Sequence, residues 1–176
     1  MEGPVGGAAS SWLIENADLL PSAGRALDVA CGKGRHALWL ARAGFEVRAI
    51  DRNPDAIVFV RETAQRLGLR VDAQGRDLET DPPPSLGVAE FDVAVVFNYL
   101  HRPLMAAIRH AVQPGGRLFY ETFTTRQSDR GHPRNPDFLL KEGELRELIR
   151  PFRLLRSREG DFEGRFVASI VAEREG

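Results

Sequence analysis

The chain has 176 residues, 43% of them hydrophobic and 28% charged, with a formal net charge of −1. This composition is typical of a folded domain and excludes an overall positive charge that would attract nucleic acid or acidic lipid. The single cysteine excludes an internal disulfide, and neither a membrane-spanning apolar run nor a signal peptide is recognisable, so we predict a cytoplasmic protein with no nucleic-acid or membrane partner.

Residues 1–9 are rich in glycine and alanine and are predicted to be flexible, whereas residues 10–176 are predicted to form one domain. Apolar runs and amphipathic stretches alternate through the first half of that domain. In chain order they predict a helix from Ser10 or Ser11 to Leu20, a strand at 26–30, a helix at 35–43, a strand at 45–50, a helix from the Asn53 cap to Gly68, and a strand at 69–74.

The second half continues this alternation after a proline-rich loop at 79–89. It predicts a strand at 91–97, a helix at 103–112, a strand at 117–123 after a Pro-Gly-Gly turn, a long polar loop at 124–138, a helix at 141–149, and closing strands at 152–160 and 165–173. The two closing strands have no helix between them and therefore predict an antiparallel hairpin.

Strands that alternate with helices form right-handed βαβ units around a parallel sheet. We therefore predict an α/β fold, a doubly wound, mostly parallel seven-stranded sheet with a C-terminal antiparallel hairpin. Sheets of this kind bind ligands at the carboxyl ends of their strands, so residues that follow strand ends are the candidates for function.

The first predicted strand is followed by Gly32-x-Gly34 and then by a helix. Glycines at such a turn let the backbone approach a ligand, and the helix start offers free N–H groups. Together with Ala37, these glycines also satisfy the dinucleotide pattern G-x-G-x-x-A, and a plain tight turn would explain them as well. The segment can therefore bind a dinucleotide, bind another ligand that the backbone approaches closely, or form only a tight turn.

Three carboxylates favour an adenosyl amino acid over a dinucleotide. Asp28 lies inside the first strand, where it would attract an ammonium group and repel a pyrophosphate. Asp51 ends the second strand and is suited to accept hydrogen bonds from two ribose hydroxyls. Asp77 follows the third strand, where it can accept from an exocyclic adenine amine.

These motifs resemble those of the class I S-adenosylmethionine-dependent methyltransferases. The segment from Asp28 to Gly34 resembles the family's E/D-x-G-x-G signature, although Cys31 stands where glycine is usual. Asp51, the Asp77-Leu78 pair and the Pro-Gly-Gly turn at 114–116 resemble the later motifs. The resemblance covers residues 10–174 and is closest to the small tellurite-resistance-type branch, on the segments ALDVACGKGRHALWLARAGFEVRAIDRNP, FNYLHRPL and LFYETF.

The resemblance implies a Rossmann-like methyltransferase fold, S-adenosylmethionine as cofactor, and methyl transfer as activity. It implies that Asp28 and the loop at 30–34, called the glycine loop below, hold the methionine moiety. It also implies that Asp51 holds the ribose and that Asn98 and Tyr99 face the sulfonium and the acceptor. The predicted cofactor-binding residues are Asp28, Ala30, Cys31, Gly32, Gly34, Arg35, His36, Asp51, Arg52, Asp77, Leu78, Asn98 and Tyr99.

Tyr99 and His101 are the predicted catalytic residues, with packing at the sheet edge and a surface position as their respective alternatives. The segment from Asn98 to His101 lacks the Asn/Asp-Pro-Pro-Tyr pattern of amino and amide methylases, which disfavours those acceptors. Cys31 is interpreted as a small filler of the turn, because no histidine–acid pair supports a nucleophile. The four histidines show no metal-ligand spacing, so no metal site is predicted.

The loop at 124–138 holds the predicted substrate-binding residues, Arg126, Arg130, His132 and Arg134. One interpretation is a lid that lends positive charge to an anionic or oxyanion acceptor and excludes water. The other is a solvated loop whose arginines pair with neighbouring acids.

We therefore predict an S-adenosylmethionine-dependent methyltransferase that acts on a small-molecule acceptor, because 176 residues leave no separate domain for a macromolecule. One alternative is a small NAD(P)-binding oxidoreductase, with Asp51 on the ribose of its cofactor. The other is a catalytically silent binding module that keeps the cofactor fold.

Overall fold

The computed structural model describes residues 6–176. Strands and helices alternate along this part of the chain, with short 3-10 turns between some of them. The strands are β1 (Arg25–Val29), β2 (Glu46–Asp51), β3 (Val71–Gly75), β4 (Phe91–Phe97), β5 (Val112–Phe123), β6 (Arg153–Phe162) and β7 (Arg165–Glu173). The helices are α1 (Ser11–Glu15), α2 (Arg35–Arg42), α3 (Pro54–Leu67), α4 (Met105–Ala111) and α5 (Glu144–Leu148).

The seven strands form one sheet in the order β3-β2-β1-β4-β5-β7-β6. Strands β1 to β5 pair in parallel, whereas β7 is antiparallel to both β5 and β6. The predicted doubly wound sheet with a C-terminal hairpin is therefore confirmed. The strand order reverses between β1 and β4, and such a switch point opens a crevice at the carboxyl ends of the strands.

Each face of the sheet is covered by its own apolar core, because successive side chains on a strand point to opposite faces. On β5, Leu118 and Tyr120 pack into one core together with Phe91, while Phe119 packs into the other with Phe45. All five side chains are nearly inaccessible to solvent. The sheet is therefore a rigid support for the loops at its carboxyl edge.

Several predicted elements differ in their bounds. The helix predicted to reach Leu20 ends at Glu15, because the side-chain amide of Asn16 donates to the Trp12 carbonyl (2.7 Å) and a 3-10 turn follows at Ala17–Leu19. Strand β5 begins at Val112, before the Pro-Gly-Gly turn, which lies within it as an irregularity of the pairing with β4.

Residues 1–9 were predicted to be flexible, and the first five of them lie outside the described residues. Residues 6–9 have no regular secondary structure. The loop at 124–138 contains 3-10 turns at Thr125–Asp129 and Pro136–Phe138. Between residues 6 and 176, no helix is long and apolar enough to cross a membrane.

Candidate active site

A cavity of about 270 Å³ lies at the carboxyl edge of the sheet. Its walls come from residues that follow four neighbouring strands of the sheet: Ala30 after β1, Asp51 and Arg52 at the end of β2, 77–79 after β3, and 98–100 after β4. Residues near the end of β5 and in the loop beyond it complete the wall. Seven predicted cofactor residues line this cavity, namely Ala30, Asp51, Arg52, Asp77, Leu78, Asn98 and Tyr99.

The glycine loop is held in a left-handed conformation beside the cavity. Ala30, Gly32 and Gly34 have φ values of 54°, 52° and 74°. Gly34 is the N-cap of α2, and a Cβ atom there would lie 2.7 Å from Cγ2 of Val60. Only glycine meets both constraints at this position, because an L side chain is strained at such a φ and has no room beside α3.

Asp51 connects the glycine loop to the end of β2. Its Oδ2 accepts a hydrogen bond from the Gly32 N–H (2.8 Å), and its Oδ1 accepts one from the Asn53 N–H (2.8 Å). Each carboxylate oxygen can accept a second hydrogen bond, so the acid can bind a ligand without releasing the loop. Asp51 therefore both shapes the loop and lines the cavity.

A second acidic group borders the cavity after β3. Asp77 is exposed and accepts the Glu79 N–H at its Oδ1 (2.9 Å), and Leu78 between them is buried as an apolar part of the wall. The Glu79 carboxylate lies 3.7 Å from the Arg52 guanidinium. The charged groups around the cavity are thus three acids and one arginine, which favours cationic over anionic ligands.

Asp28 is buried beneath the loop and does not line the cavity. Its Oδ2 accepts the N–H of Ala37, in the first turn of α2 (2.9 Å). Burial raises the pKa of this carboxyl to about 7, although the Ala37 hydrogen bond and Arg35 oppose the shift. Asp28 therefore holds the strand to the helix, and its predicted contact with an ammonium group stays a prediction.

The structure places Cys31, Arg35 and His36 beside the cavity rather than in its wall. The His36 ring stacks on Phe97 with centroids 4.1 Å apart, and its Nε2 accepts the Ser10 N–H (3.2 Å). Burial lowers the pKa of His36 to about 3, so the imidazole is neutral. Burial likewise raises the pKa of the Cys31 thiol, which suits a small filler and not a thiolate nucleophile.

Tyr99 presents a buried hydroxyl that has no hydrogen-bond partner among the described residues. Burial and the nearby Glu79 raise the pKa of this phenol, so Tyr99 stays protonated and is available as a hydrogen-bond donor, not as a base. Its backbone carbonyl accepts the Tyr120 hydroxyl (2.8 Å), which fixes the turn after β4. His101, the other predicted catalytic residue, does not line the cavity.

The loop arginines have separate environments. Arg126 and Arg130 both lie over the Phe166 ring, 4.2 and 4.3 Å from its centroid, and Arg130 pairs with Asp161 (2.7 Å). Neither arginine lines the cavity, and the ion pair of Arg130 fits the solvated-loop interpretation. The predicted role of both residues in substrate binding stays a prediction. His132 and Arg134 instead line a shallow groove that opens from the cavity.

Six residues that line the cavity were not predicted from the sequence, namely Glu79, Leu100, Thr122, Phe123, Pro133 and Phe138. Phe123 ends β5 in the LFYETF segment, so its place at a strand end was a signal that could have been used. Pro133 and Phe138 belong to no recognisable sequence motif. They could not be predicted, because only the path of the loop in the folded protein brings them to the cavity.

Known proteins support a family assignment. A profile described as "Methyltransferase domain" matches residues 26–116, more than half of the chain. The chain is 38% identical over 109 residues to a ubiquinone biosynthesis O-methyltransferase of Xylella fastidiosa, covering 57% of this chain and 42% of that protein. It is 29% identical over 144 residues to hemagglutinin 1 of Eikenella corrodens, covering 77% and 46%.

The tellurite-resistance-type branch is represented by TehB of Haemophilus influenzae, a probable S-adenosyl-L-methionine-dependent methyltransferase. The chain is 28% identical to it over 144 residues, covering 77% of this chain and 48% of TehB. The crystal structure of TehB superposes with a TM-score of 0.79 at 20% identity, covering 95% of this chain and 63% of that one. The chain spans less than half the length of these curated relatives.

The profile match covers the glycine loop, Asp51, Asp77 and the Pro-Gly-Gly turn, which are the motifs on which the sequence resemblance depends. The predicted cofactor, S-adenosylmethionine, is confirmed as that of the family. The chain belongs to the methyltransferase-domain family, within the class I S-adenosylmethionine-dependent methyltransferases.

Proposed function

We propose that this protein binds S-adenosylmethionine in the cavity at the carboxyl edge of the sheet and transfers a methyl group to a small molecule. The observation that carries the proposal is the arrangement of Asp51 and Asp77 around one cavity, beside the left-handed glycine loop. Such a site combines acceptors for ribose and adenine with a backbone that a ligand can approach closely.

Each wall of the cavity has a role in this proposal. The glycine loop takes the methionine end, Asp51 accepts the ribose hydroxyls, and Arg52 and the 77–79 segment flank the adenine. Tyr99 donates its unpartnered hydroxyl to the bound ligand, which removes the cost of leaving it unsatisfied. Asn98, at φ 56° directly after β4, turns the chain towards the acceptor.

Bound S-adenosylmethionine would supply a methyl group on a sulfonium, which leaves as a neutral thioether in an in-line displacement. The chain's own contribution is alignment, which can lower a barrier by roughly 7–11 kcal/mol in favourable cases. A protonated Tyr99 fits this role, because a hydrogen-bond donor can orient a reactant without accepting its proton.

The charge around the cavity disfavours an NAD(P)-dependent oxidoreductase. Three acids and one arginine line the cavity, and a pyrophosphate would be repelled there, whereas the sulfonium and ammonium groups of S-adenosylmethionine are cations. This electrostatic preference supports the methyltransferase over the dinucleotide alternative.

A small-molecule acceptor is supported by the size of the cavity and by the name of one relative, a ubiquinone biosynthesis O-methyltransferase. His132 and Arg134, in the groove beside the cavity, favour an acceptor that carries negative charge. Cytoplasmic location, the role of His101 and the closure of the 124–138 loop stay predictions.

Isothermal titration with S-adenosylhomocysteine and with NADH tests the proposal. We expect the first to bind and the second not to bind. Asp51→Ala should weaken S-adenosylhomocysteine binding by about 3 kcal/mol, or roughly 100-fold, because two hydroxyl groups lose a charged acceptor. Asp55→Ala, which removes an exposed acid at the start of α3, is the matched control and should leave binding unchanged. Binding of NADH, or equal affinities for the two variants, would contradict the proposal.

A further inference from the structure

The loop beyond β5 places an exposed aromatic ring at the cavity. Phe138 is 46% exposed, although it belongs to the wall of the cavity and also to the groove that continues from it. Phe123 and Pro133 likewise line both spaces, and Leu100 lines the deeper one. The end of the cavity that continues into the groove is therefore largely apolar. The opposite end, around Asp51 and Asp77, is acidic.

Phe138 is held in this position by its backbone. It ends a 3-10 turn that Asn135 caps, with the Asn135 Oδ1 accepting the Asp137 N–H (3.0 Å). Arg102 donates to the carbonyls of Asp137 and Leu139 (2.9 Å each). The exposed ring is thus carried by a fixed segment, so its exposure belongs to a preformed surface.

The mouth of the groove carries positive charge. Arg134 is exposed and makes no ion pair with any residue between 6 and 176. His132 is exposed beside it, and both line the groove next to Phe138. By contrast, Arg130 in the same loop is neutralised by Asp161. An anionic group on a ligand in the groove would meet Arg134 without displacing a protein carboxylate.

We propose that Phe123, Pro133 and Phe138 form a subsite for a planar aromatic acid, with its ring against these side chains and its acid group at Arg134 and His132. This inference rests on the proposed function, since the opposite edge of the ring would face Asn98 and the methyl donor. A ring stacked on Phe138 would cover apolar surface that is otherwise in contact with water. A bare inorganic oxyanion would bind the arginine but would leave the rings uncovered, so it fits this groove less well.

The test uses 2-naphthoate as the probe and isothermal titration as the readout. S-adenosylhomocysteine is titrated first, and 2-naphthoate is then titrated into the loaded protein. Failure of S-adenosylhomocysteine to bind would overturn the proposed function and the subsite together. Binding of S-adenosylhomocysteine without any binding of 2-naphthoate would overturn the subsite alone.

Substitutions of residues that line the groove test whether 2-naphthoate binds there. Phe138→Ala should weaken 2-naphthoate binding about tenfold, as expected for loss of one buried aromatic contact. Arg134→Ala should weaken it several-fold and reduce its sensitivity to salt. Val88→Ala and Arg126→Ala, which change an exposed apolar side chain and a loop arginine outside the groove, are the controls and should have no effect. Unchanged affinity in both Phe138→Ala and Arg134→Ala, or tighter binding of tellurite than of 2-naphthoate, would refute the subsite.

Discussion

Replacing Asp28 with asparagine should stabilise the free protein at neutral and alkaline pH. Burial raises the pKa of the Asp28 carboxyl from 3.8 to about 7, so the folded protein favours the neutral acid while the unfolded chain ionises it. The contribution of Asp28 to the stability of the wild type is therefore fully present below the unfolded pKa of 3.8 and is lost as the pH rises from there through about 7. Asparagine keeps an oxygen that can accept the Ala37 N–H but does not ionise.

The magnitude follows from the two pKa values. The pKa of Asp28 is about 7 in the folded protein and 3.8 in the unfolded chain. This difference changes the contribution of Asp28 to the unfolding free energy by roughly 4 kcal/mol between low and high pH. Between pH 5 and pH 8 the wild type should lose about 2.5 kcal/mol of this, and Asp28→Asn should lose none of it. Because all other titrating groups are shared, the difference in unfolding free energy between the two proteins isolates Asp28.

Urea unfolding, followed by the fluorescence of the two tryptophans, measures this difference at several pH values. The free energy of unfolding of Asp28→Asn, relative to the wild type, should rise by about 2.5 kcal/mol from pH 5 to pH 8. Asp55→Asn, an exposed acid, serves as the control and should follow the wild type. Parallel curves for Asp28→Asn and the wild type would refute the assignment of a neutral buried acid.

Three other substitutions test the site. Tyr99→Phe removes an unpartnered buried hydroxyl, so it should raise the unfolding free energy of the unliganded protein by about 1 kcal/mol. The same substitution should weaken S-adenosylhomocysteine binding in calorimetry. A loss of stability in the unliganded variant would contradict this prediction. Gly34→Ala should lower the melting temperature and the affinity for S-adenosylhomocysteine, because its Cβ would clash with Val60. Arg102→Met should accelerate proteolysis within 132–139 while leaving S-adenosylhomocysteine binding unchanged, and unaltered cleavage would show that Arg102 does not hold the loop.

The elements that position the cofactor were predictable because their signals are local. Gly34 follows a strand and precedes a helix within a few residues, and the left-handed backbone there needs glycine. Asp51 and Asp77 follow strand ends, and parallel strands place their carboxyl ends at one edge of the sheet. Strand β4 could be predicted for the same reason, since FDVAVVF is an almost continuous apolar run.

The environment of His36 could not be predicted, because it depends on contacts between distant parts of the chain. Its neutral imidazole accepts a hydrogen bond from Ser10, 26 residues earlier, and stacks on Phe97 in another strand. The cavity wall formed by Phe138 depends on Arg102, 35 residues before the Asp137 carbonyl that it contacts. Periodicity and motif spacing contain no information about such pairs.

A crystal structure of the protein with S-adenosylhomocysteine tests the central claim most directly. We expect the ribose hydroxyls within hydrogen-bond distance of Asp51, the adenine beside 77–79, and the amino acid end at the glycine loop. A ligand bound elsewhere, or a ribose without contact to Asp51, would contradict the account.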